Sequence, residues 1–200
     1  MTAALRNPGV RALAHGWFAV CRLYYTLRYR RLQLGRGVVI TGRLRLVGNT
    51  TLSVGAHSVI RQSLRVDGDG HVTIGEHTRI NGDCWIGAHT VVTIGDWCLV
   101  SDCCIFDNDF HNILPRDRHR TPGPDVAAPV HIGDNVWIGT RALVMKGSAI
   151  GADSVVGAGA VVRGSIPAGV VVAGNPAVVV RKFDDDERSA AGRGLTERPR

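Results

Sequence analysis

Asp107, Asp109 and His111 stand at alternate positions in the segment Phe106-Asp107-Asn108-Asp109-Phe110-His111-Asn112. On an extended strand, side chains two apart leave by the same face. With Phe106 facing inward, all three polar groups are expected to face outward together. A carboxylate beside an imidazole fixes its tautomer and stabilises the imidazolium, which is what a general base needs. Polar residues of this kind also cap turns, so position has to decide. The segment opens the one large break in the rhythm of the second half of the chain, between Phe106 and Val130. A Pro- and Arg-rich stretch from Leu114 to Pro129 fills most of that break. An insertion of that length is too long for a tight corner and is expected to project as a loop. It contains no cysteine to serve as an obvious nucleophile.

The elements that hold this loop are written in hexads. Lead pairs recur every six residues at Ile132-Gly133, Ile138-Gly139, Val144-Met145, Ile150-Gly151, Val156-Gly157, Val162-Arg163 and Ala168-Gly169. A small or aliphatic residue follows four places after the lead, as in Val136, Ala142, Ser148, Ser154 and Ala160. An α-helix cannot use a period of six, because its 3.6-residue turn carries the stripe around the axis. A short strand with a bend can, and such a unit must stack on copies of itself. Earlier repeats run through Ile74, Ile80 and Ile86, then Ile94, Val100 and Phe106, with two extra residues between Ile86 and Ile94. Three hexads per coil predict stacking of residues eighteen apart at about 4.8 Å. Apolar residues at 44%, aromatics at 6% and 25 glycines suit a narrow aliphatic core with a bend in every hexad.

The run resembles the hexapeptide-repeat family, whose strands wind into a left-handed parallel β-helix. The handedness is implied by that resemblance alone. Within the family, Asp107 to His111, the basic loop and Val130-x-Ile132-Gly133-Asp134-Asn135-Val136-Trp137-Ile138-Gly139 look like the O-acetyltransferases of maltose, galactosides and surface polysaccharides. The run Val156 to Val162, Ile166-Pro167 and Ala173-Gly174-Asn175-Pro176-Ala177 is similar to their acyl-CoA-binding end. The likeness covers about residues 50 to 182. It implies that His111 takes the proton of an acceptor hydroxyl, which attacks acetyl-CoA directly, with Asp109 and Asp107 beside it. It places the coenzyme near Trp137 and Gly139, along Gly157 and Ala158, with Arg163, Arg181 and Lys182 near its phosphates. It implies a homotrimer with sites between neighbouring solenoids, a sugar, polysaccharide or glycolipid acceptor, and no metal. The sequence departs from the family at Arg163-Gly164, where Thr-Lys is usual, and at Val178, where Arg is frequent.

Charge is divided along the chain. The first 66 residues hold eleven arginines and no Asp or Glu, within a net charge of +7. Residues 10–31 read as an amphipathic helix, with Leu13, Trp17, Val20, Tyr24 and Leu27 on one face and Arg11 and Arg22 on the other. Residues 1–36 are thus expected to cap the open first coil or to lie on an anionic membrane. The β-helix is expected over 37–180 with its loop at 112–129, and a flexible tail over 181–200. No aromatic-rich module accompanies the basic charge, so nucleic acid is not expected as a partner. Five cysteines make an odd count and point to a reducing, cytoplasmic setting. Cys84, Cys98 and Cys104 each follow a lead residue by four and are expected in the core. Two other readings of the solenoid are a zinc hydratase like carbonic anhydrase, drawing on His57, His71, His77, His89, His119 and His131, and a catalytically silent scaffold.

Overall fold

Strands of two to six residues cannot satisfy their own backbone groups, so each coil bonds to the coils above and below it. The computed structural model describes residues 8–123 and 126–188. Among the described residues, the strands form three parallel walls of seven, eight and six, and every wall takes one strand from successive coils. One strand departs from this order: Val178–Lys182 returns antiparallel along Val170–Ala173 and closes the last coil. The expected start of the tail, residue 181, therefore falls inside a strand. Residues 189–200 lie outside the described residues.

The lead residues form continuous interior columns. In the second wall Ile40, Ile60, Ile80, Val100, Ile138, Val156 and Val172 stack in register, and all are buried. In the third wall Val66, Ile86, Ile105, Val144 and Val162 do the same. Each such side chain contributes roughly 1.5–3 kcal/mol of burial, but only while the register holds. The interval is the expected eighteen from Trp137 to Val155. Upstream it is twenty, as Leu52 pairs with Val72 and Val72 with Val92. The two extra residues sit at one corner of every early coil, not only between Ile86 and Ile94.

A second corner carries a polar ladder. Thr78 Oγ1 donates to the Gly95 carbonyl at 2.8 Å and accepts from the Cys98 N–H at 2.9 Å. Ser58 repeats this one coil earlier, donating to Gly75 and accepting from Thr78 N–H. Cys98 continues it, with Sγ 3.2 Å from the Gly133 carbonyl. Burial pushes the Cys98 thiol up to about 11. These small polar side chains fill the slot four places after the lead because they satisfy backbone groups that no strand reaches.

Two expectations about the core change. Cys84 and Cys98 are buried, but the third core cysteine is Cys103, and Cys104 is only half-buried. The corner between Val100 and the next strand is one residue shorter than its neighbours, with Asp102 at a positive φ of 46°. That slip of one turns the side chains of the next strand to the other face. Ile105 points inward and Phe106 outward.

The helix Pro8–Arg28 caps the first coil, through the face opposite to its apolar stripe. Tyr25 Oη donates to the Gly42 carbonyl at 3.0 Å and accepts from Leu44 N–H at 3.2 Å. Arg22, expected on the solvent side, reaches the Leu34 carbonyl at 3.1 Å. The side chain of Arg11 lies outside the described residues.

Removing the ladder hydroxyl in Thr78→Val strands a buried N–H and a carbonyl, and is expected to cost about 2 kcal/mol in urea unfolding. Thr73→Val, on the exposed face of the first wall, is expected to stay within about 0.5 kcal/mol.

Candidate active site

The one-residue slip decides how the loop leaves the coil. Asp107 falls on the inward side and is fully buried, not outward beside His111. Its carboxylate accepts from the backbone N–H groups of His89 and Thr90 at 2.8 and 2.6 Å, and from Thr90 Oγ1 at 2.7 Å. Asn108 Nδ2 adds a fourth contact at 3.0 Å. Asp107 thus ties the departing chain to the widened corner of the preceding coil. The two arms of the loop then pair antiparallel, with Asn108 against Ala127. Asp109 N–H donates to the Val126 carbonyl, and Ala128 N–H to that of Asp107.

A tight turn follows. His111 N–H donates to the Asp109 carbonyl at 2.7 Å, across Phe110 at a φ of 59°. A bulky residue in the left-handed region costs of order 1–3 kcal/mol and persists only where its surroundings fix it. Here the Phe110 ring sits 5.1 Å edge-on from Phe106 and 5.8 Å from Trp85. Its amide donates to Asn108 Oδ1 at 2.8 Å. The aromatic patch holds the strained residue, and the strained residue sets His111 out on the surface, where it is exposed.

Asp109 does not contact the imidazole in any described interaction. Its Oδ2 lies 2.5 Å from Lys146 Nζ, and both side chains are largely shielded. Lys146 escaped the sequence reading. It occupies the second place after the lead Val144, where the neighbouring hexads carry Asp134, Thr140, Ala152 and Ala158. A lone cation in that column was the available signal. Of the loop arginines, Arg116 and Arg120 contact Asp117, and Arg118 donates to the Ile113 carbonyl. Asn112 Nδ2 gathers the carbonyls of Asp117, Arg120 and Thr121, which gives the loop its own internal frame.

Two cavities matter. One of about 280 Å³ is lined by His89, Thr90, Asn108, Phe110 and the returning arm of the loop. The other, of about 450 Å³, lies on the second wall among Trp137, Val155, Arg181, Phe183 and Arg188. The structure therefore brings Trp137 and Arg181 together, with Arg188 as an addition. The Arg181 guanidinium is held by Glu187 and lies over the Phe183 ring at 5.2 Å. Gly139, Gly157 and Ala158 share the corner beyond that wall, where a Cβ on Gly139 would meet the Ala158 nitrogen at 2.9 Å. Arg163 follows the third-wall strand Val161–Val162. The three expected phosphate cations thus do not converge within one copy, since Arg181 and Lys182 edge the second wall.

The histidines weighed as zinc ligands are dispersed. His57, His77 and Trp97 stack on one another at successive corners, 5.1 and 4.1 Å apart. His71 pairs with Thr51 at 2.7 Å rather than stacking on His89, and His131 with Thr93 at 2.8 Å. Among the described residues, no three His, Cys, Asp or Glu side chains form a group that could hold a metal ion.

Comparison with known proteins bears on this arrangement. The description "bacterial transferase hexapeptide (six repeats)" matches residues 129–164. A Staphylococcus aureus protein named provisionally as an acetyltransferase is 48% identical over 69 residues, which are 34% of this chain and 35% of that protein. A Saccharomyces cerevisiae protein with the same kind of name is 47% identical over 70 residues, 35% of this chain and 36% of its own. The match thus spans about a third of the length of these curated relatives. Among solved structures, AntD, an N-acyltransferase from Bacillus cereus in complex with dTDP and 3-hydroxybutyryl-CoA, aligns over 86% of this chain and 94% of its own, with 18% identity and a TM-score of 0.68. A galactoside acetyltransferase in complex with coenzyme A aligns over 78% and 68%, with 22% identity and a TM-score of 0.52. At those identities the likeness shows the fold, the left-handed β-helix. The chain resembles the hexapeptide-repeat acyltransferases.

If Asp107 anchors the loop, Asp107→Ala leaves two partly buried N–H groups and a hydroxyl without their partner. We expect it to lower stability by about 3 kcal/mol in urea unfolding. Asp109→Ala, which breaks one partly shielded ion pair, is expected to cost about 1 kcal/mol.

Proposed function

We propose that this chain is a coenzyme-A-dependent O-acyltransferase that moves an acetyl group from acetyl-CoA to a hydroxyl of a sugar or of a cell-surface polysaccharide or glycolipid precursor. The observation that carries the reading is the single long interruption of the coils, built to hold His111 outward on a strained, buttressed turn. Contacts of Phe110 with Phe106, Trp85 and Asn108 support that turn. The names of the relatives and the acyl-CoA in the neighbouring structures support a thioester donor.

In this reading His111 removes the proton of the acceptor hydroxyl as the oxygen attacks the thioester carbonyl. A C–O bond forms, the C–S bond breaks, and the coenzyme leaves as its thiolate, taking up a proton. A positioned base of this type contributes about 10²–10⁴-fold. Lys146 neutralises Asp109 at the root of the turn, so the carboxylate acts as a hinge pin rather than as a relay to the imidazole. The exposed Trp137 offers a flat apolar surface for the coenzyme, and backbone N–H groups beside Gly139 offer donors to the oxyanion and pantetheine amides.

An exposed imidazole cannot by itself keep water from a thioester. The outer face of the third wall beside the loop carries half-buried Cys104, Phe106, Leu143, Met145 and Val161. That apolar face supports a neighbouring copy closing the site, as in a homotrimer. A second base is favoured by one observation: His89 lines the 280 Å³ cavity, while His111 lines none of the described cavities.

Coenzyme A release from acetyl-CoA across a panel of sugars and nucleotide-sugars decides between them. His111→Ala is expected to lower acceptor-dependent release by about 10²–10⁴-fold, with the KM for acetyl-CoA little changed. His89→Ala is expected to stay within tenfold. Collapse in His89→Ala alone would move the base to His89, and full activity in both variants would remove histidine catalysis altogether.

A further inference from the structure

The helix Pro8–Arg28 has two apolar faces, and only one of them is used. Phe18, Cys21, Tyr25 and Tyr29 are half-buried, and the tyrosines pack on the first coil. The stripe of Leu13, Trp17, Val20, Tyr24 and Leu27 looks away from the body. Its side chains are between 56% exposed, at Tyr24, and 76%, at Leu13. Leu23 widens it at 60%. Leaving so many large side chains of one helix in water costs roughly 25 cal/mol per Å² of apolar area that a partner could cover.

The charge around this stripe has one sign. Arg28 follows Tyr24 by one helical turn and so sits at the end of the stripe. With Arg30 and Arg31 it lines a cavity of about 590 Å³ that has no carboxylate among its lining residues. Arg30 and Arg31 are exposed, as are Arg36, Arg43 and Arg45 beyond them. All 17 acidic residues lie beyond residue 66, so the molecule is strongly basic at the helix end. A basic rim beside an apolar stripe with Trp and Tyr in it matches the interface of an anionic bilayer, where the rings sit among the headgroups and guanidinium groups meet phosphates. Among the described residues no helix is long and apolar enough to cross a membrane, so the helix would lie in the plane.

We infer that this face docks the protein on an anionic phospholipid surface, with Leu13, Trp17, Val20, Tyr24 and Leu27 entering the headgroup layer and Arg28, Arg30 and Arg31 holding lipid phosphates. The docked face of the helix is separate from the stripe, so the coils need not rearrange.

Sedimentation of the full chain with vesicles tests this. We expect binding to vesicles of phosphatidylcholine with 30% phosphatidylglycerol, weakened by salt, and none to pure phosphatidylcholine. Leu13→Asn/Trp17→Asn/Leu27→Asn is expected to lower binding by more than about tenfold. Arg28→Gln/Arg30→Gln/Arg31→Gln is expected to lower it on the order of a hundredfold. The emission of Trp17 should shift to the blue on anionic vesicles, and Trp17→Phe should lose that shift. Both triple variants should keep the wild-type circular dichroism and oligomer size. Failure to bind anionic vesicles, equal binding to neutral ones, or a smaller oligomer in the Asn variant would overturn the inference; the last would assign the stripe to a second copy of the chain.

Discussion

Every coil of this protein is a template for the next, because its N–H and C=O groups are bonded to the neighbouring coils rather than within itself. That constraint fixes which residues face inward. Ile86 must lie on Ile105 and Ile105 on Val144, so a residue added or lost within a wall would turn a column inside out. Length can change only at the corners. The early coils spend two extra residues at one corner, the corner at Asp102 is one residue short, and the long loop leaves the chain after Phe106. Variation of the backbone, and with it the capacity for chemistry, is confined to these places.

The candidate site follows from how the loop is joined to that frame. A long insertion would be loosely tethered unless something tied its root. Asp107 does so from the interior, holding the amides of the preceding coil. Above it, Phe110 takes a left-handed backbone conformation, with its ring against Phe106 and its amide bonded to Asn108 Oδ1. The result is that His111 stands exposed at the root of the loop. The interior carboxylate, the strained turn and the exposed imidazole make up one mechanical unit, in which burial at one end supports orientation at the other.

The hexads at Ile132, Ile138, Val144 and Ile150 announce the solenoid because a period of six has no helical interpretation. The location of the loop was legible for the same reason, as silence in a strong rhythm. The orientation of its residues was not. Alternation counted from Phe106 gives the wrong face, because the short corner at Asp102 shifts the phase, and Asp102 carries no Gly or Pro to betray it. The burial of Asp107 and the turn to Cys103 both follow from that one residue. Lys146 and the Trp85–Phe106–Phe110 patch were hidden differently. They are joined by stacking between coils, which a linear reading sees only when the interval is known, and here it changes from twenty to eighteen. The helix misled in a third way: its longest apolar stripe is the one that the body does not use.

Under the proposed function, His111 and an acyl thioester meet across the loop. A crystal structure with bound coenzyme A tests this most directly. We predict that the pantetheine arm lies along Gly139 and Gly157, with its sulfur directed at the His111 imidazole. A coenzyme whose sulfur lies away from the loop, with His111 turned to open solvent, would contradict it.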